Sequence, residues 1–140
     1  MSETLQGKCM CGAVTFTAKV MGGAGACHCG MCRKWSGGMY LSVDTGDTLR
    51  FAEGAPIKVY RGTEWGERVF CTECGSSLVW RTQDGANQHV SIQCFEDPAQ
   101  FEIGVEVFHD RKPGNYALAG ERKTLTEAEI FAMYAPEGGA

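Results

Sequence analysis

Cys71-Thr72-Glu73-Cys74-Gly75 and Cys9-Met10-Cys11-Gly12 tie two distant parts of this chain together. In the first stretch two thiols separated by two residues can grip one ion. The glycine that follows permits the left-handed backbone that turns amide N–H groups towards sulfur. That is half of a tetrahedral site. The second stretch supplies the other half if it is extended, because alternate residues of a strand share a face and Gly12 allows the bend that aims both sulfurs at one ion. Cys9, Cys11, Cys71 and Cys74 then form a closed four-thiolate set with no position for a substrate. Its expected role is structural, joining the N-terminal strand to a later hairpin.

A second group, Cys27-His28-Cys29-Gly30-Met31-Cys32, offers three thiolates within one short loop. Three ligands and an open position are the pattern of a catalytic zinc. Zinc held by three thiolates is electron-rich and weakly Lewis-acidic, so it suits activation of a fourth thiolate better than generation of hydroxide. Two alternatives stay open. His28 or Cys94 can close the site as a fourth ligand and make it structural, or the three cysteines can remain reduced and metal-free. Cys94, within Val90-Ser91-Ile92-Gln93-Cys94-Phe95, reads as a core-facing strand position and a small buried hydrophobe. An iron–sulfur cluster is disfavoured because C-x-C pairs do not match the common cluster-binding runs.

The 140 residues fit one domain, 1–140, and the 44% hydrophobic content supports a core. Nineteen glycines against 4 prolines imply many turns and short elements, hence a mainly β fold. Period-two alternation agrees: Val14, Phe16, Ala18 and Val20 fall on one face of a half-buried strand, stopped by Gly22-Gly23-Ala24-Gly25. Further strands are expected at Met39 to Val43, Ile57 to Tyr60, Arg68 to Cys71, Ser77 to Arg81, His89 to Phe95 and Gly104 to Phe108. Strands this short make a sandwich or layered sheet. One helix, about residues 126–135, is announced by the capping box Thr126-Glu127-Ala128-Glu129 with Leu125 and Ile130 as its hydrophobic staple, and it ends before Pro136. Ile130, Met133 and Tyr134 form its expected docking face.

A formal net charge of -4, made more negative by metal-bound thiolates, argues against nucleic acid and anionic membranes as partners. Met1 to Lys8 contain no apolar export segment and no stretch suits a membrane span, so cytoplasmic residence is expected. A disulfide framework would then lack its oxidising compartment, and thiols one residue apart suit a shared ion better than an internal disulfide.

Gly7-Lys8-Cys9-Met10-Cys11-Gly12-Ala13-Val14-Thr15-Phe16, Cys27-His28-Cys29-Gly30-Met31-Cys32-Arg33-Lys34 and Arg68-Val69-Phe70-Cys71-Thr72-Glu73-Cys74-Gly75, in that order, closely resemble the glutathione-dependent formaldehyde-activating enzyme family. The resemblance runs over about residues 7–110. It implies a β-tent, with layered antiparallel sheets and here a short C-terminal helix. It also implies two Zn²⁺ sites: a structural one at Cys9, Cys11, Cys71 and Cys74, and an active-site one at Cys27, Cys29 and Cys32. The implied activity is carbon–sulfur lyase chemistry, written as the joining of formaldehyde and glutathione to S-(hydroxymethyl)glutathione, so a small-molecule thiol, glutathione, is the expected partner. The chain departs from the family pattern where many relatives carry a His-Ile-aromatic segment and then a tryptophan; it reads Glu106-Val107-Phe108 and Asn115.

Arg33, Lys34, Arg68 and Arg81 flank the clusters. They can offset thiolate charge or hold the carboxylates of an anionic thiol, or simply be solvated. Trp35, Trp65 and Trp80 read as core or pocket wall. The functions that compete with a lyase are a non-catalytic zinc module that binds a protein partner, and metal buffering or redox sensing by the Cys27 cluster.

Overall fold

A computed structural model describes residues 3–134. Eleven strands run in chain order: β1 Thr4–Lys8, β2 Thr15–Lys19, β3 Ala24–Cys27, β4 Tyr40–Asp44, β5 Arg50–Phe51, β6 Ile57–Tyr60, β7 Gly66–Cys71, β8 Ser77–Thr82, β9 Gln88–Ser91, β10 Ile103–Val107 and β11 Lys123–Leu125. Two helices accompany them, α1 at Gly30–Ser36 and α2 at Glu127–Tyr134.

Three strands form a small antiparallel sheet, β1-β2-β5, and eight form a large one, β11-β10-β3-β4-β9-β8-β7-β6. The layered β architecture expected from the sequence is therefore present. The large sheet is mixed, because β10 lies parallel to both β3 and β11. Between the sheets sits an apolar core that includes Val14, Phe16, Val43, Val69, Leu78, Val79 and Val90, all essentially without exposed surface. Burying each such side chain contributes about 1.5 to 3 kcal/mol before entropy is counted. The Phe16 ring meets Phe51 and Phe95 edge-on at 5.9 and 5.8 Å, joining the small sheet to the segment after β9.

The alternation in β2 is borne out: Val14, Phe16 and Ala18 are buried and Val20 packs against them. Elsewhere local pattern misleads. Cys9 to Gly12 is a turn between β1 and β2, not part of a strand, with Gly12 at φ 84°. Gly22 to Gly25 does not simply end a strand, since Ala24 and Gly25 open β3 inside the large sheet. The small residues are needed there: a Cβ at Gly25 would lie 2.8 Å from Val105 Cγ1 on β10. The expected strand at His89 to Phe95 stops at Ser91, and Ile92–Cys94 is a turn of 3-10 helix, so Cys94 is not on a strand. β10 ends at Val107, and Phe108 adopts the left-handed conformation at φ 53°.

At the C-terminal helix the capping box is formed. The Glu129 N–H donates to Thr126 Oγ1 at 3.2 Å, and the Thr126 N–H donates to Glu129 Oε1 at 2.8 Å. Its docking face differs from expectation. Ile130 is buried and the Phe131 ring packs on Phe108 at 5.8 Å, whereas Met133 is exposed. The Tyr134 side chain and Pro136 lie outside the described residues.

Candidate metal centres

Cys9 and Cys11 occupy the β1–β2 turn, Cys71 ends β7, and Cys74 lies in the turn to β8. Their four sulfurs lie within 4.8 Å of one another. The Cys9 and Cys11 sulfurs are 3.6 Å apart, and those of Cys11 and Cys71 are 3.9 Å apart. A tetrahedral ion with metal–sulfur bonds of about 2.3 Å needs sulfurs about 3.8 Å apart, so the donor set fits one. None of the eight cysteines is in a disulfide.

Each turn directs backbone N–H groups at sulfur. Val14 donates to Cys9 Sγ at 3.3 Å, Ala13 to Cys11 Sγ at 3.4 Å, and Glu73 and Cys74 to Cys71 Sγ at 3.3 and 3.4 Å. Gly75, at φ 81°, closes the second turn through its N–H to the Cys71 carbonyl. Ser76 joins the turns: its hydroxyl accepts from the Met10 N–H at 3.0 Å and lies 3.1 Å from Cys74 Sγ. The Ser76 hydroxyl and backbone hold the Cys74 thiol down at about 5. The Ala13 N–H favours the Cys11 thiolate, but burial and the three neighbouring thiols together push Cys11 up to about 12. Four sulfurs this close do not all ionise without a cation among them.

The second cluster stands on different elements. Cys27 ends β3, Cys29 caps the N-terminus of α1, and Cys32 lies in its first turn, with the three sulfurs again within 4.8 Å. The Cys32 N–H donates to Cys29 Sγ at 3.3 Å, so this thiol does the work of a capping side chain. Hydrogen bonds from the Cys27 and Cys32 thiols, with that N–H and Arg68, hold Cys29 down at about 2 against burial. Cys27 is driven far up by its bonds to Cys29 and Cys32 and by burial. Cys27 favours the Cys32 thiolate, but Cys29 and burial outweigh it and leave Cys32 at about 11. Three sulfurs this close do not all ionise without a cation among them, and their chemistry fits a soft divalent ion.

Neither residue considered as a fourth ligand joins them. His28, fully buried, places Nε2 2.7 Å from Glu106 Oε1, and Glu106 Oε2 accepts from Arg122 Nη1 at 2.6 Å. Burial opposes the Glu106 charge, yet the bonds to His28 and Arg122 prevail and keep its carboxyl below the ordinary value. The loop main chain is fixed as well: the His28 N–H donates to Val107 O at 3.1 Å and Arg33 Nε to His28 O at 3.0 Å. Cys94, half-buried, is pushed up to about 11 by burial, and its thiol neighbours Cys9 and Cys74 belong to the four-cysteine centre.

Of the flanking cations, only Arg68 touches a cluster sulfur among the described residues. It is 5% exposed, its Nη1 lies 3.5 Å from Cys32 Sγ, and its guanidinium stacks 5.0 Å from the Trp35 ring centroid. Arg81 instead pairs with the buried Glu67 at 2.7 Å, and Lys34 is exposed. Trp65 and Trp80 pack on each other at 5.4 Å. A cleft of about 1500 Å³ runs past the small sheet and is lined by Lys8, Phe16, Trp35, Tyr40, Ser77 and Cys94, among others. It borders Cys9 and Cys74, while none of Cys27, Cys29 and Cys32 lines it.

Ser76, Arg122 and the pairing of Glu106 with His28 carry no local sequence signal. Glu106 stood out only as a departure from a pattern, and its partners come from 78 and 16 residues away.

A layered β protein with a four-cysteine and a three-cysteine cluster, each able to hold a metal ion, is the class that fold and site define. Residues 4–111 match the family described as glutathione-dependent formaldehyde-activating enzyme, and the chain belongs to that family. It is 24% identical over 128 residues to an uncharacterized lyase of Schizosaccharomyces pombe, covering 90% of this chain and 93% of that protein. A Halomonas elongata protein, provisionally named as a glutathione-dependent formaldehyde-activating enzyme, is 37% identical over 87 residues, covering 53% of this chain and 54% of its own length. A crystal structure of a Rhodobacter sphaeroides protein shares the fold with a TM-score of 0.59 and 25% identity, covering 71% of this chain and 97% of that one.

Proposed function

We propose that this protein is a zinc-dependent carbon–sulfur lyase that makes or breaks the bond between a small thiol and an aldehyde carbon, with glutathione and formaldehyde as the pair to test first. The observation that carries this reading is the three-sulfur cluster at the start of α1, which among the described residues has no fourth protein donor. Family membership and a relative named as a lyase support it. In this reading Cys9, Cys11, Cys71 and Cys74 hold a structural Zn²⁺, and Cys27, Cys29 and Cys32 hold a second at the catalytic site. Zinc bound at the second site would supply a soft centre for a thiol in its thiolate form.

The chain's own residues prepare that site. Cys29 is aligned by the Cys32 N–H, and His28, locked to Glu106, stays out of the cluster while its main chain holds the loop to Val107. Cys27 and Cys29 are half-buried, unlike the buried Cys32. In the synthetic direction the thiol sulfur bonds to the carbonyl carbon and a proton passes to the carbonyl oxygen.

The test is exchange NMR on glutathione and formaldehyde with zinc-loaded protein. Adduct exchange faster than in buffer, abolished in Cys29→Ser, is expected. No acceleration by fully loaded protein would eliminate this pair of substrates.

A further inference from the structure

We infer that Arg68 is the positioning residue that admits an anionic thiol to the three-cysteine centre, by supplying the buried positive charge that a fourth thiolate needs. This deepens the reading above and rests on it. Arg68 extends from β7, and its guanidinium is held on the Trp35 face of α1, 5.0 Å from the ring centroid. It is 5% exposed, yet among the described residues no carboxylate lies within ion-pair distance. Its hydrogen-bond acceptor is Cys32 Sγ at 3.5 Å.

Buried charges are ordinarily paired, and an arginine with no carboxylate takes its compensation from the nearest anion. Here that anion is the thiolate cluster, whose Cys32 Sγ accepts the Arg68 hydrogen bond. The neighbouring arginines are committed elsewhere, Arg61 and Arg81 to Glu67, Arg122 to Glu106, and Arg33 to a backbone carbonyl.

The charge count gives the pairing a purpose. Three thiolates around a divalent cation leave one net negative charge, and a fourth thiolate makes it two. In a partly desolvated site the second charge is strongly disfavoured unless a cation stands beside it. A neutral fourth ligand adds no charge and needs no such help. Arg68 should therefore discriminate by charge, favouring a thiolate over a neutral donor. The four-cysteine centre carries two net charges in another way: Cys11 is exposed to solvent, backbone N–H groups and Ser76 meet its sulfurs, and among the described residues no arginine or lysine hydrogen-bonds to them.

The experiment uses cobalt-loaded full-length protein, whose thiolate charge-transfer absorption reports the number of sulfurs on the metal. It is titrated with 2-mercaptoethanol, a thiol with no other charge, and separately with imidazole. In Arg68→Met the thiol should bind about ten- to a hundredfold more weakly while imidazole binds within about twofold of wild type. Metal content should not change. Arg68→Lys, which keeps the charge, should hold thiol affinity within a few-fold, and it carries the test if Arg68→Met does not fold. Equal weakening towards both ligands, no weakening in Arg68→Met, or selective loss of thiol binding in Arg68→Lys would each overturn the role of Arg68 alone. Failure of wild-type protein to take up any thiol would instead overturn the lyase reading, and this inference with it.

Discussion

The two cysteine centres use the same element in opposite ways. At the four-cysteine centre the sulfurs come from two turns that are distant in sequence, and backbone N–H groups with one serine hydroxyl hold them. At the three-cysteine centre the sulfurs come from one short stretch, the end of β3 and the first turn of α1, and beside a single backbone N–H the support comes from side chains drawn from far away: Glu106, Arg122 and Arg68. Backbone support makes a rigid cross-link, while side-chain support leaves charge and access adjustable. The first arrangement suits holding a fold together and the second suits handling a ligand.

The sharpest way to break this contrast is to remove one sulfur from each centre. Cys71→Ser should lose the cross-link between turns and with it cooperative folding, read by circular dichroism melts. Cys27→Ser should fold and lose about one of two metals by elemental analysis. Equal melting behaviour in the two variants would erase the distinction.

Glu106→Gln comes next. It leaves Arg122 and His28 without a charged partner, and a cost of about 2 to 3 kcal/mol is expected by chemical denaturation. Because the folded carboxyl is held below its ordinary value of 4.5, its contribution is full above that pH and is lost as pH falls through the depressed value. The gap between wild type and Glu106→Gln should therefore close in acid.

Ser76→Ala removes the hydroxyl between Met10 and Cys74. It should cost about 1 kcal/mol and weaken metal retention at the four-cysteine centre in chelator competition, leaving the other centre unchanged. The smallest effect belongs to neither centre. Thr126→Ala deletes the cap of α2 and should lower the melting temperature by about 3 to 5 °C with metal content intact.

The cysteine groupings were legible in sequence because metal ligation demands fixed spacings, and the alternation through Val14, Phe16 and Ala18 was legible because one face of that strand is buried. The local conformation of the ligand loops was not. A C-x-C pair reads as a strand, yet Cys9 to Gly12 is a turn, since its geometry is set by N–H groups folding back onto sulfur. α1 was hidden by its glycine and by a cysteine serving as cap, which no propensity scale anticipates. β3 was hidden by residues chosen for closeness to Val105 and not for strand preference. Glu106 was visible only as an oddity, because its meaning lies in His28 and Arg122, which no local window joins to it.

The parallel pairing of β3 with β10 joins residues 24–27 to residues 103–107. For a polypeptide emerging from the ribosome this sets a timetable. All four ligands of the first centre are out once the chain has passed Ser76, whereas the strand beside Cys27 and the carboxylate beside His28 arrive some thirty residues later, and Arg122 later still. Nascent chains should therefore be able to gather the four-cysteine set early, and the three-cysteine cluster gains its final setting among the last events of biogenesis.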